Sequence, residues 1–479
     1  MPQGVLPYKY EEDKNDSAIT SLAGLPLYLD LAGALGLRES IERHLSFRPS
    51  QGWSDSRMIL SLMLLALAGG ECVNDLKILE ADKGFCRLLE RIEPGDRFPR
   101  FRRAKSRTMP SPSSVFRYLA SFHAPEASLQ GHACIPHVNA LDGFARINRD
   151  LTSAFQRRKP ASTATLDMDA TLVETAKRDA LFSYEGYKAY QPLQVFWAEQ
   201  ELLVHTEFRD GNVPANYDLL RVLKETLDGL PEGVKKARLR SDGAGYAHDL
   251  LGYCDRGDHP RFGRIEFAIS CPVTEAFKKE VSLLSDEEWK RLDSRREWAE
   301  VGFVPYECAY SRKSPTYRYL VIREPVRQPV LPGMELPFAT LDHKGAQYKL
   351  RGLVSNMEWA GERLIAFSYE RCGKSEEAHA ILKEDLAGGK LPSGNFGENA
   401  AWWWVMVLAF NLNAAMKQLA LNDSFIPKRM KAIRFSLINL PGRMIDHARQ
   451  ILIRIVRGHP CFTLLVEARQ RIMRLELSG

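Results

Sequence analysis

A chain of 479 residues, 45% hydrophobic and 26% charged, has material for two to four domains with an ample core. Its eight cysteines are scattered with no CxxC pair, which excludes a disulfide framework or a zinc site read from spacing and points to a reducing cytoplasm. The net charge of +6 is a weak pointer to a polyanionic partner. No apolar run reaches the roughly 20 residues that span a bilayer, and the polar stretch from Met1 to Asp16 does not read as a secretory signal, so no membrane partner is expected.

Residues 1–150 read as a helical, DNA-binding region. Leu27–Leu37, Ser54–Leu67 and Val73–Leu89 carry apolar residues at three- and four-residue spacing, and Ser54 or Asp55 can cap the second helix. Arg97, Arg100, Arg102, Arg103, Lys105 and Arg107 then follow with no acid among them and with Phe98 and Phe101 interleaved. Such a run predicts a phosphate-contacting arm. Pro110-Ser-Pro-Ser-Ser-Val-Phe-Arg-Tyr-Leu-Ala starts a capped short helix, which either approaches a groove or packs against its neighbours.

From Thr163 the period changes. Ala164–Asp169, Tyr187–Ala198 and Leu202–Arg209 read as strands, Pro214–Asp228 as a helix and Lys236–Arg240 as a strand. A helix at Tyr246–Tyr253 and a strand at Arg264–Ser270 complete the series. This order predicts an α/β fold with a ribonuclease-H-like (retroviral-integrase-like) catalytic core, its first part in residues 151–270. Residues 271–365 read as a β-rich insertion, with a helical piece at Asp286–Arg296 and strands at Phe303–Tyr310, Tyr317–Ile322 and Tyr348–Val354. The core resumes over 366–420, with a strand-like run at Leu364–Ser368 and an aromatic helix at Ala401–Leu419. Residues 421–479 form a basic helical region containing Lys428, Arg429 and Lys431, with an amphipathic helix expected at Met444–Ile455.

The stretch Tyr369–Lys383 has a helical pattern after its first residues. Glu376 and Lys383 stand seven residues apart, which on a regular helix places them about 20° apart on one face. Two further acids occupy strand ends: Asp169 in Leu166-Asp-Met-Asp-Ala-Thr171, and Asp242 followed by glycines. The carboxyl ends of neighbouring strands meet at one sheet edge, where sites form. Asp169, Asp242 and Glu376 together predict an oxygen-only metal site suited to Mg²⁺ or Mn²⁺, with two ions supporting in-line phosphoryl transfer. Asp167 shares a strand face with Asp169 and is a competing candidate; its neighbour's place at the strand end favours Asp169.

These residues resemble the bacterial insertion-sequence transposases of the DDE class, specifically the insertion sequence 1380 family within the group that includes the Tn-five-like enzymes. Besides the two aspartate motifs, the resemblance rests on Gly69-Gly-Glu-Cys-Val-Asn-Asp75, Met109-Pro-Ser-Pro-Ser and Arg209-Asp-Gly-Asn212. It rests above all on Tyr369, Glu376 and Lys383, which fit the signature Y-x2-R-x3-E-x6-K. The signature arginine is replaced by Cys372, with Arg371 beside it and Lys374 as another possible substitute. The resemblance implies Asp169, Asp242 and Glu376 as catalytic metal ligands, and Tyr369 and Lys383 as contacts to DNA near the scissile phosphate. It also implies a homodimer on double-stranded DNA, acting on terminal inverted repeats and a target. The function expected is metal-dependent strand cleavage and strand transfer of the cut-and-paste type. Two alternatives stay open: a descendant that only binds element ends, and a ribonuclease-H-fold nuclease without strand transfer.

Overall fold

The computed structural model describes residues 18–45, 52–92, 107–124, 139–305, 317–326, 336, 338–447 and 450–477. The chain forms two compact units. One comprises residues 1–128, 138–151 and 381–479; the other comprises 129–137 and 152–380.

The second unit is built on a mixed sheet. In chain order its strands are β1 (Thr163–Ala170), β2 (Leu193–Trp197), β3 (Leu202–Glu207), β4 (Lys236–Ser241) and β5 (Glu266–Cys271), then β6 (Lys290–Arg291), β7 (Glu297–Val301), β8 (Arg318–Pro325), β9 (Thr340–His343) and β10 (Ala346–Ser355). They lie in the order β6-β7-β8-β10-β5-β4-β1-β2-β3, with β9 paired to β10. The contacts of β4 with β1 and with β5 are parallel and every other pairing is antiparallel. Helix α1 (Leu219–Gly229) connects β3 to β4, and α2 (His248–Arg256) connects β4 to β5. The mixed α/β fold expected from the sequence is therefore present. The β-rich segment 271–365 does not form a sheet of its own: β10 pairs with β5 and extends the same sheet.

β1 alternates polar and apolar residues, so one of its faces is apolar and the other polar. Leu166 and Met168 of β1 join Leu239, Phe267 and Ile269 in a core shared with Val222, Leu223 and Leu227 of α1 and Leu250 and Leu251 of α2. Alternation along the strand sends Thr165, Asp167 and Asp169 to the opposite face. Helix α3 (Gly361–Tyr369) belongs to a second core, with Leu364, Ile365 and Phe367 packed among Ala268, Trp298, Leu320, Ile322 and Leu353. A Cβ on Gly361 would come within 2.2 Å of the Trp298 ring, so a glycine is needed for this approach.

Several local expectations are corrected. Leu364–Ser368 is helical, because its buried residues recur at helical spacing from Gly361 to Ser368; a five-residue apolar run carries no period of its own. Tyr187–Ala198 is two short strands, Lys188–Tyr190 and β2, interrupted at Gln191-Pro192, where proline withholds a ladder donor. Asp286–Arg296 is one 3₁₀ turn, closed by reciprocal bonds between Ser285 and Glu288, followed by β6. The expected strand Phe303–Tyr310 is not one over 303–305, and its remainder lies outside the described residues.

The first unit is mainly helical. Asp55–Ala68 is capped by the Ser54 hydroxyl, which accepts from the Arg57 amide, and Pro112–Ala120 by Ser111 in the same way. The helix Phe396–Ala415 is buried along its whole length, with Trp402 and Trp403 among the most enclosed side chains. The Tyr28 hydroxyl donates to Asn413 Oδ1 at 2.8 Å and the Tyr118 hydroxyl to Asp55 at 2.7 Å, satisfying buried polar groups between helices. The amphipathic helix expected at Met444–Ile455 is instead a hairpin of Gly442–His447 and Gln450–Arg454, to which Ile19–Thr20 adds a strand. β-Branched residues at alternating positions decide this: Ile451 and Ile453 turn with Met444 toward Ala18 and Leu88, while Gln450 and Arg454 stay exposed. Among the described residues no single helix is long and apolar enough to cross a membrane.

Candidate active site

Parallel pairing of β1 with β4 brings the two strand-end aspartates to one edge. Met168 stands opposite Ser241 in the register, and the Ser241 hydroxyl donates to the Met168 carbonyl at 3.1 Å. The next residues along are Asp169 and Asp242, and both line a cavity of about 90 Å³ with Gln191 and Tyr184. Asp242 Oδ1 accepts from the Ala244 amide at 3.0 Å. Gly245 closes this turn against Ser241, where a Cβ would lie 2.4 Å from the serine Cβ.

The third acid arrives from the chain after α3. A turn at residues 370–373, with Gly373 at φ +85°, leads into helix α4 (Lys374–Ala380). Glu376 sits in its first turn and is exposed; its Oε2 accepts from the Gly373 amide at 2.6 Å. The Asp169 carboxyl is pushed up to about 6. Burial is the main cause, the Arg371 guanidinium opposes it, and the negative charges of Asp242 and Glu376 add to it.

Arg371 Nη1 donates to Asp169 Oδ2 at 3.1 Å, so the first aspartate is held by Arg371. Cys372, at the signature position, is exposed. Lys374 Nζ lies 3.4 Å from Glu201 Oε1. The Arg296 guanidinium lies 5.1 Å from the centre of the Tyr369 ring.

Asp167 has a different setting. Its two oxygens accept from Arg240 Nε at 2.6 Å and Nη2 at 2.9 Å, and both side chains are almost fully enclosed. Arg240 Nη1 also donates to the Phe367 carbonyl at 2.8 Å and to Glu370 Oε2 at 3.1 Å. The aspartate that competed with Asp169 in the sequence is thereby committed to Arg240. Arg240 itself carried no assignment. Its signal was its place two residues before Asp242 on a strand, which puts both on one face.

The other residues singled out belong to the first unit. Lys383 falls in a π turn, Ile381–Asp385, of the helical unit, so the even 3.6-residue count behind a shared face with Glu376 is broken. Burial pulls its ammonium below the usual lysine value. Arg429 grips Asp385 through Nε at 3.1 Å and Nη2 at 3.0 Å. Lys428 lies over the Phe425 ring at 3.7 Å, and Lys431 is exposed. Arg107 is exposed and donates to the Met109 carbonyl at 3.3 Å. Arg97, Arg100, Arg102, Arg103 and Lys105 lie outside the described residues.

Among the described residues no three His, Cys, Asp or Glu side chains stand close enough to hold a metal ion. The donor chemistry still fits a hard divalent cation, since Mg²⁺ is commonly held by one or two carboxylates, waters and substrate phosphates. Asp169 and Asp242 on one cavity supply that pair, and Gln191 adds a buried amide oxygen without a hydrogen-bond partner.

Fold and site describe a mixed α/β protein with an acidic, oxygen-rich edge at the ends of two parallel strands. A family model described as transposase DDE domain group 1 matches residues 9–477, and the chain belongs to that family. Membership implies polynucleotidyl transferase and endonuclease chemistry. A cryo-EM structure of the piggyBac transposase synaptic complex with hairpin DNA is similar at 10% identity, over 87% of this chain and 80% of that one, with a TM-score of 0.39. No curated protein matches in sequence.

Proposed function

We propose that this protein is a DNA transposase of the insertion sequence 1380 type, which cleaves element ends and joins them to a target through Asp169, Asp242 and Glu376. What supports the reading is the placement of Asp169 and Asp242 at adjacent parallel strand ends on one cavity, in a member of the DDE family, with Glu376 in the first turn of α4 as the third acid of the reading. The strand order β3-β2-β1-β4-β5, antiparallel for the first three and parallel for the last two, supports a ribonuclease-H-like core.

In this reading the three acids hold Mg²⁺ or Mn²⁺, two ions in the working complex. Such ions, when bound, supply activation of the attacking hydroxyl and stabilisation of the leaving oxygen. Asp169 and Asp242 face the reacting phosphate from the rigid sheet, and Glu376 closes the site from α4. Arg371 neutralises Asp169 in the free protein and turns to DNA phosphate when an element end arrives, taking the role of the absent signature arginine. Tyr369, Lys374 and Lys383 contact the same strand, Tyr369 by stacking or donation and the lysines as point charges. Residues 1–150, with the cationic run 97–107, and residues 421–479, with Lys428, Arg429 and Lys431, hold the duplex of the terminal repeats. Two copies act on paired ends.

The test is incubation of purified protein with labelled duplexes carrying the flanks of its own gene, with Mg²⁺ or Mn²⁺. Cuts that leave 3′-hydroxyl ends, followed by joining to a second duplex, are expected. Binding without cleavage would favour a second reading, an end-binding descendant, for which Cys372 in the signature position is the supporting observation. Cleavage without joining would favour a nuclease.

A further inference from the structure

We infer that Asp167 and Arg240 are the positioning pair of this site, fixing the spacing of the three acids without touching DNA or metal. The inference rests on the reading of Asp169, Asp242 and Glu376 as the site. Asp167 lies two residues, about 7 Å, before Asp169 on β1. Arg240 lies on β4 two residues before Asp242, which directly follows the last strand residue, Ser241. Their bidentate bond, at 2.6 and 2.9 Å, ties the two strands at the level just below the site. The third hand of the same guanidinium reaches the Phe367 carbonyl and Glu370, where α3 ends and the chain sets out toward Arg371 and Glu376. One buried group therefore grips all three segments that carry the acids.

The chemistry of the pair suits this task. A planar guanidinium offers donors in a fixed fork, so it dictates angle as well as distance, which an ammonium does not. The Arg240 guanidinium also lies 4.8 Å from the centre of the Phe367 ring, holding it from a further side. The turn at residues 370–373 joins α3 to α4 through short-range bonds, Cys372 N to the Tyr369 carbonyl at 2.9 Å and Lys374 N to the Arg371 carbonyl at 3.2 Å, so the placing of Glu376 follows from how the end of α3 is anchored. Partners that orient acids from behind are worth about 10- to 100-fold in metal affinity or activity.

The experiment compares the full-length protein with Asp167→Asn, Arg240→Lys, Glu370→Ala and, as a reference, Asp169→Asn. Mn²⁺ binding is read from the loss of the free-ion EPR signal, folding from thermal melting, and cleavage as rate against DNA concentration. Asp167→Asn and Arg240→Lys are expected to weaken Mn²⁺ binding and slow cleavage at saturating DNA about tenfold each, with half-saturation by DNA unchanged. Glu370→Ala, which removes only the outer, exposed contact, is expected to give about a two- to threefold loss. Should the two buried variants not fold, Glu370→Ala decides. Folded variants with wild-type Mn²⁺ affinity and rate would overturn the positioning role while Asp169→Asn still abolished both. An Asp169→Asn protein that binds Mn²⁺ and cleaves like wild type would overturn the site itself.

Discussion

Two carboxylate–arginine pairs stand two residues apart on one face of the same strand, and they behave differently. Asp167 meets Arg240 through two bonds in an enclosed place, whereas Asp169 meets Arg371 through one bond of 3.1 Å beside a cavity that Asp242 also lines. In the first pair every oxygen of the carboxylate is satisfied by a fork from a neighbouring strand. In the second, burial and like charges push the carboxyl up to about 6, and the one arginine comes from a turn. Identical residue types thus give a brace in one case and an exchangeable contact in the other. Geometry and company, more than burial, separate them.

The largest effect should come from the exchangeable side. Glu376→Gln is expected to lower strand cleavage by about a thousandfold or more while leaving DNA binding within a fewfold, as read by gel cleavage and by binding titration. Retained cleavage would remove Glu376 from the site. On the braced side, Asp167→Ala leaves the buried Arg240 with only the exposed Glu370 as counter-charge and should cost about 3 kcal/mol in urea unfolding. A cost below about 1 kcal/mol would mean that the two pairs do not differ as described.

A pH series sharpens the contrast. The Asp169 carboxyl is raised in the folded state, so its contribution to stability is fully present below its unfolded value and is lost as pH rises through about 6. Asp169→Asn should therefore stabilise the protein at pH 8, on the order of 2 kcal/mol, with the gain fading toward pH 4. A gain independent of pH would break the assignment. The smallest effect is expected for Arg371→Ala, about 1 kcal/mol or less in the same unfolding assay, because one bond at a cavity edge is given up. A loss equal to that of Asp167→Ala would make both pairs structural.

How far all this could be read from the residues varies by feature. Asp169 and Asp242 were legible because a strand ending in an acid, followed by small residues, needs only local pattern. The order of strands and helices from Thr163 to Ser270 was legible for the same reason. The division of labour between Asp167 and Asp169 was not, because Arg240 lies 73 residues away and only the parallel register of β1 and β4 brings it near. Leu364–Ser368 misled because a short apolar run fits strand and helix equally, and contact with Trp298 and Leu320 chooses the helix. At Met444–Ile455 a heptad-like spacing outweighed the β-branched alternation of Ile451 and Ile453, and the added strand Ile19–Thr20 lies too far along the chain to be foreseen. Arg371 stood out in the sequence, with Lys374, only as a neighbour of Cys372. Its hold on Asp169 was not legible, since the two are 202 residues apart.

The most direct test of the central claim, that Asp169, Asp242 and Glu376 together form the metal site, is to load the protein with Fe²⁺ and map where the polypeptide is cut. With ascorbate and peroxide, bound iron breaks the chain within reach of its ligands. Cuts near residues 169, 242 and 376, suppressed by excess Mg²⁺ and lost in Asp169→Asn, are the expected result. Cuts elsewhere, or a pattern unchanged by Asp169→Asn, would contradict it.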